Sequence, residues 1–141
     1  MTIYLDNNAT TKIDPQVIAA MMPYLTDHYG NTASNHAFGW KSKNAVENAR
    51  ETIAKSIQCQ ADEIVFTSGT TESNNLVIKG LFYANGNQPF HIITQKTEHS
   101  CVLEAIRYLE SCGCEVTYLD VDEFGQVSVH QVEQALQENT Q

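Results

Sequence analysis

A chain of 141 residues, 42% hydrophobic and 18% charged, is long enough for one domain with a core and has a globular composition. Its formal charge of -9 and its eight scattered Lys and Arg make no basic patch, which argues against nucleic acid and anionic membranes as partners. No apolar run reaches membrane-spanning length and the N-terminus carries no basic-then-apolar leader, so a cytoplasmic protein with no membrane association is expected.

In chain order, Ile3-Tyr4-Leu5 reads as a short strand or an extended arm, followed by the polar run Asp6 to Thr11. That run either lines a site or turns the chain. Asn8-Ala9-Thr10 matches a glycosylation sequon, discounted without a leader. Asp14-Pro15 is a helix start, a capping carboxylate followed by a proline whose missing N–H costs nothing there. The helix carries Val17, Ile18, Met21, Met22 and Leu25, with Pro23 expected to interrupt and kink it. Tyr29 to His36 has loop composition. A long helix is expected from Phe38 to Ile57, with Ala45, Val46, Ala49, Ile53 and Ile57 at helical spacing.

A strand at Ile64–Phe66 is expected to run into Thr67-Ser68-Gly69-Thr70-Thr71, with a helix from Thr71 to Ala84. Further strands are expected at His91–Thr94 and Val116–Leu119, flanking a helix over Ser100–Ser111 that Gly113 closes. Ser128 caps a last helix, which Glu138 to Gln141 finish. The alternation predicts an α/β fold of βαβ units with a mainly parallel sheet. With no strand after the last helix, the chain is expected to break off in mid-domain, its sheet incomplete.

The Ser68-Gly69-Thr70-Thr71 turn suits an anion such as a phosphate: a glycine for close approach, hydroxyls, and the amides of a helix N-terminus. An ordinary hydroxyl-capped turn fits it equally well. It is neither a Walker loop nor a dinucleotide fingerprint. Thr97-Glu98-His99 follows a strand, so His99 is expected at the sheet edge where α/β proteins bind ligands, and the Ser-Gly-Thr-Thr turn at the same edge. There an imidazole can stack on a planar ligand, move a proton near neutral pH, or serve as a structural hydrogen-bonder. Cys59, Cys101, Cys112 and Cys114 lack zinc spacing and read as reduced, partly packed thiols, with a redox or metal role as the alternative. No metal site is expected. Asp120 to Gly125 fails as a calcium loop, because Phe124 and Gln131 occupy ligand positions, and reads as a solvated acidic turn.

Tyr4 to Thr11, Tyr29-Gly30-Asn31, Phe66 to Ser73 and Thr97-Glu98-His99, in that order, resemble the N-terminal part of cysteine desulfurases of the NifS/IscS type. These are fold-type I enzymes that use pyridoxal 5′-phosphate. The resemblance runs from Ile3 to about Thr140. It implies a partial three-layer αβα large domain over residues 15–141, with residues 1–14 as an arm beside the active site. It also implies that Thr70, through its amide, and Thr71, through its hydroxyl as well, hold the cofactor phosphate. His99 would stack on the cofactor ring and assist proton transfer, and residues 7–10 would lie on the substrate side of the pocket. Thr32 stands where many relatives carry proline. The family's Schiff-base lysine and nucleophilic cysteine have no counterpart among these residues, and Lys96 is not that lysine. The 141 residues alone are thus expected not to turn over L-cysteine. The implied partners are L-cysteine, a second copy in a homodimer, and a sulfur-acceptor or iron-sulfur scaffold protein. A selenocysteine lyase, another fold-type I enzyme, and a non-catalytic segment acting by assembly are the alternatives.

Overall fold

The computed structural model describes residues 3–141; Met1 and Thr2, the start of the expected arm, lie outside the described residues. The chain divides into two compact units, one running to Val65 and one from Phe66 to Gln141.

In the first unit Ile3-Tyr4-Leu5 joins no strand, and the polar run turns at Asp6, whose carbonyl accepts from the amides of Ala9 and Thr10. Helix α1 spans Pro15–Thr26, with the Asp14 carboxylate accepting from the Gln16 amide at 2.7 Å. Pro23 lies inside α1 without ending it. The apolar positions Val17, Ile18, Met21, Met22 and Leu25 are all exposed. Helix α2 spans Ala37–Ile57, one residue longer at its start than expected. Gly39 is required by space, since a Cβ there would run into the Ser34 carbonyl. The hydroxyl of Ser42, a buried residue, donates to the His28 carbonyl at 3.1 Å and holds α2 to the preceding loop.

The second unit contains α3 (Thr70–Ala84), β1 (His91–Gln95), α4 (Ser100–Ser111), β2 (Glu115–Leu119) and α5 (Val129–Ala135). Strands β1 and β2 pair in parallel, His91 opposite Glu115 and Gln95 opposite Leu119. The α/β class with a parallel sheet is therefore as expected, but two particulars differ.

Ile64–Phe66 is not a strand of this sheet. Ile64 is extended, at φ -92° and ψ 120°, and β-branched residues favour that conformation, but a strand exists only where a ladder partner lies alongside. The tail also does not finish a helix. Helix α5 ends at Ala135, Leu136 is extended, and Thr140 forms a parallel bridge with His91. The His91 amide donates to the Asn139 carbonyl at 3.0 Å and the Gln141 amide to the His91 carbonyl at 3.1 Å. The open edge of β1 thus captures backbone groups that a longer α5 would have kept within the helix.

The resulting order is Thr140, β1, β2, with β1 central. The crossover through α4 leaves β1 in one direction and the crossover through α5 returns past it in the other.

The core gathers Phe82 of α3, Phe90, Leu109 of α4 and Cys114, with Ile78, Ile92 and Cys112 packed against them. His91 is fully buried, and both ring nitrogens are bonded: Nδ1 to the Thr140 hydroxyl and Nε2 to the Thr117 hydroxyl, each at 2.8 Å. All four cysteines are free thiols, Cys101 and Cys114 buried, as the packed-thiol reading expects. The acidic turn closes on itself, with the Asp122 carboxylate accepting from the amides of Phe124 and Gln126. No helix of the described residues is long and apolar enough to cross a membrane.

Candidate functional site

A sheet whose strand order reverses at a central strand opens a crevice at that strand's C-terminal end. Here the reversal is at β1, which ends at Gln95. Lys96 continues the ladder with its amide on the Leu119 carbonyl, and its ammonium pairs with Asp120 at 2.7 Å across the same edge. Lys96 is therefore committed to an exposed ion pair. Four residues past the strand stands His99, the N-cap of α4.

Helix α3 reaches this edge by packing on α4. Asn74 meets Cys101 and Tyr83 meets Tyr108, so contacts advance along both helices in the same direction and their N-termini share one end. Thr70 and Thr71 lie one turn before Asn74, and His99 lies two residues before Cys101. The expected juxtaposition of the Ser-Gly-Thr-Thr turn and His99 is present, but its cause is the parallel packing of two helices rather than a strand at 64–66. At the far end of that interface the Tyr108 phenol is pushed up to about 12 by its hydrogen bond to Tyr83.

The start of α3 differs from the other α-helices. Asp14, His36, His99 and Ser128 each lend a side-chain acceptor to a first-turn amide of their helix. The N-cap of α3 is Gly69, which lends none. No N-cap side chain therefore occupies its first-turn amides, and the exposed Thr70 and Thr71 hydroxyls lie beside them. Gly69 sits at φ 157° and ψ -178°, a conformation open essentially to glycine alone, although a Cβ there would meet open space. The glycine is needed for its backbone angle.

One carboxylate belongs to this cup. Glu72 accepts from the Ser68 amide at 2.7 Å and the Ser68 hydroxyl at 2.6 Å. The Ser68 hydroxyl first, and its amide second, hold the Glu72 carboxyl below its ordinary value of 4.5. The sign follows: the bond is fully made above the ordinary carboxylate range and is lost as pH falls through the lower, folded value. Ser68→Ala is expected to raise the Glu72 midpoint toward 4.5, read by carboxyl carbon NMR; an unmoved midpoint would refute this origin.

The His99 ring is exposed and oriented by its cap. Its Nδ1 accepts from the Cys101 amide at 3.2 Å and lies 3.0 Å from Cys101 Sγ. A neutral ring accepting at Nδ1 carries its proton on Nε2, which leaves the ring face and Nε2 for a ligand.

A pyridoxal phosphate group fits these residues on their own chemistry. Amides and hydroxyls without a helix cap suit a phosphate, and an exposed imidazole held at one nitrogen suits a planar ring. Sequence reasoning did not find the Asn74–Cys101 link, which has no local signal. It also missed the Ser68–Glu72 bond, which a glutamate at the third helical position could have indicated.

The sequence pattern of the aminotransferase class-V family matches residues 3–141. The cysteine desulfurase IscS of Rickettsia typhi is 50% identical over 141 residues, 99% of this chain and 34% of that protein. The chain thus spans about a third of the length of the curated relatives it matches. Among solved structures, a NifS-like protein superposes with a TM-score of 0.91 at 38% identity, covering 99% of this chain and 38% of the other. SspA in complex with cysteine gives a TM-score of 0.89 at 42% identity, covering 99% and 40%.

Proposed function

The chain belongs to the aminotransferase class-V family, and from that premise we propose that it serves a pyridoxal phosphate-dependent cysteine desulfurase, which converts L-cysteine to L-alanine and an enzyme-bound persulfide. The observation that carries this reading is the uncapped N-terminus of α3 at the same end as the His99 ring. The relatives named cysteine desulfurase and the neighbour solved with cysteine support the substrate.

In this reading the Thr70 amide and the Thr71 amide and hydroxyl bind the phosphate, and the Gly69 backbone angle turns those groups outward. His99 orients the cofactor ring by stacking, and its Nε2 holds or passes a proton near the reacting carbon. When bound, pyridoxal phosphate supplies the electron sink. A homodimer, a sulfur-acceptor or iron-sulfur scaffold protein, and a cytoplasmic setting belong to the same proposal. The exposed apolar positions of α1 support a polypeptide partner.

The test is turnover by the intact, cofactor-loaded protein, with L-cysteine and L-selenocysteine compared. Alanine with equimolar persulfide from L-cysteine is expected; alanine from L-selenocysteine alone would transfer the reading to a selenocysteine lyase. Thr71→Val is expected to weaken cofactor binding about tenfold, the worth of one charge-assisted hydrogen bond, measured by equilibrium dialysis. Unchanged affinity would remove Thr71 from the phosphate cup.

A further inference from the structure

The buried thiol of Cys101 joins α3 to the His99 ring. Asn74 Nδ2 of α3 lies 3.2 Å from Cys101 Sγ, and Cys101 Sγ lies 3.0 Å from His99 Nδ1. We propose that Cys101, oriented by Asn74, is a positioning residue that locks the His99 imidazole in its Nε2–H tautomer and fixes the plane of the ring. The inference rests on the reading of His99 given above for what the ring then does, but the tautomer itself can be tested apart from it.

Proton accounting decides the direction of each bond. An amide nitrogen only donates, so Asn74 donates to the sulfur. The backbone amide of Cys101 also only donates, and its acceptor is Nδ1 at 3.2 Å. Nδ1 therefore presents its lone pair and holds no hydrogen. The hydrogen between Nδ1 and Sγ is then the thiol's, and Cys101 donates S–H to Nδ1. The opposite assignment, a thiolate accepting from an Nδ1–H, would set two N–H groups against each other at the cap.

Two donors thus share the single lone pair of Nδ1 in a three-centre bond, one from the backbone at the α4 cap and one from a side chain held by α3. A single donor leaves the ring free to swing about that bond, whereas two define its plane. Cys101 is buried while His99 is exposed, so the lock sits beneath the ring and leaves the outer face open. A thiol is a weak donor in water, but this one is enclosed and already aimed.

The experiment uses the intact protein with nitrogen-15-labelled histidine. In the unsubstituted protein His99 is expected to show an unprotonated Nδ1 and a protonated Nε2. Cys101→Ala is expected to raise the Nδ1–H population about fivefold, the worth of one ordinary hydrogen bond. Cys101→Ser, which keeps a donor at the same atom, is expected to restore the original ratio. Ring nitrogen signals unchanged by Cys101→Ala would overturn the proposal. Should that variant not fold, Asn74→Ala tests the same lock from its other end, with a shift in the same direction expected and no shift overturning it. In cofactor-loaded protein Cys101→Ala is expected to lower kcat for L-cysteine about fivefold at unchanged KM, with Cys101→Ser rescuing it. If the tautomer moves while turnover does not, the lock stands and the catalytic assignment of His99 fails.

Discussion

His91→Ala is expected to destabilise the protein by about 3 kcal/mol, among the larger single-residue effects available in this fold. His91 is the only fully buried polar side chain among the described residues, and its ring joins Thr117 of β2 to Thr140 of the tail. Removal leaves a cavity and strips the Thr117 hydroxyl of its ring partner, and an unsatisfied partly buried hydroxyl costs about 1–3 kcal/mol; the Thr140 hydroxyl loses its bond to the ring but still accepts from the Gln137 amide at 2.8 Å. His91→Leu separates the two contributions, since it refills much of the space and replaces neither ring hydrogen bond. Chemical unfolding measures both. Combining His91→Ala with Thr140→Val should cost less than the sum of the single substitutions, because they share one bond. Strict additivity, or a loss below about 1 kcal/mol, would mean that the ring does not hold the two strands and the tail together.

The second large effect concerns chemistry. In the intact, cofactor-loaded protein, His99→Ala is expected to lower turnover of L-cysteine about 10²–10⁴-fold, the usual range for a group that positions or moves a proton. This residue also caps α4, so part of any loss is structural, about 1 kcal/mol of stability. His99→Asn separates the roles, because asparagine is a good N-cap and a poor proton carrier. It is expected to recover the stability and none of the turnover. Recovery of turnover by His99→Asn would show that His99 acts only as a cap.

The helices and strands of the second unit were largely legible. Strands β1 and β2 each gained one residue at an end, and α3 began one residue early. The errors fell where local preference and long-range pairing disagree. Ile64-Val65-Phe66 has every local mark of a strand, yet strand identity depends on a neighbour far away in sequence. The tail from Gln137 to Gln141 looked helical because its residues are compatible with a helix. The free edge of β1, where the His91 amide and carbonyl face away from β2, drew Thr140 into register instead. Neither event leaves a trace in a local window.

The site divides in the same way. Gly69, Thr70, Thr71 and His99 stood out as candidates from the sequence, because glycine and hydroxyls at a helix start and a histidine after a strand carry chemistry locally, but that chemistry fits an ordinary capped turn equally well and it is the family resemblance that implies their roles. The sequence by itself also determined the α/β class, through the spacing of apolar residues and the caps at Asp14 and Ser128. Only the tertiary structure decided that α3 and α4 pack in parallel, that β1 is the central strand, and that Asn74 and Cys101, 27 positions apart, meet beneath the His99 ring. The physical reason is range. Caps, turns and periodicity are settled within a few residues, whereas packing direction, strand order and a buried hydrogen bond are settled by whichever distant surfaces exclude water together.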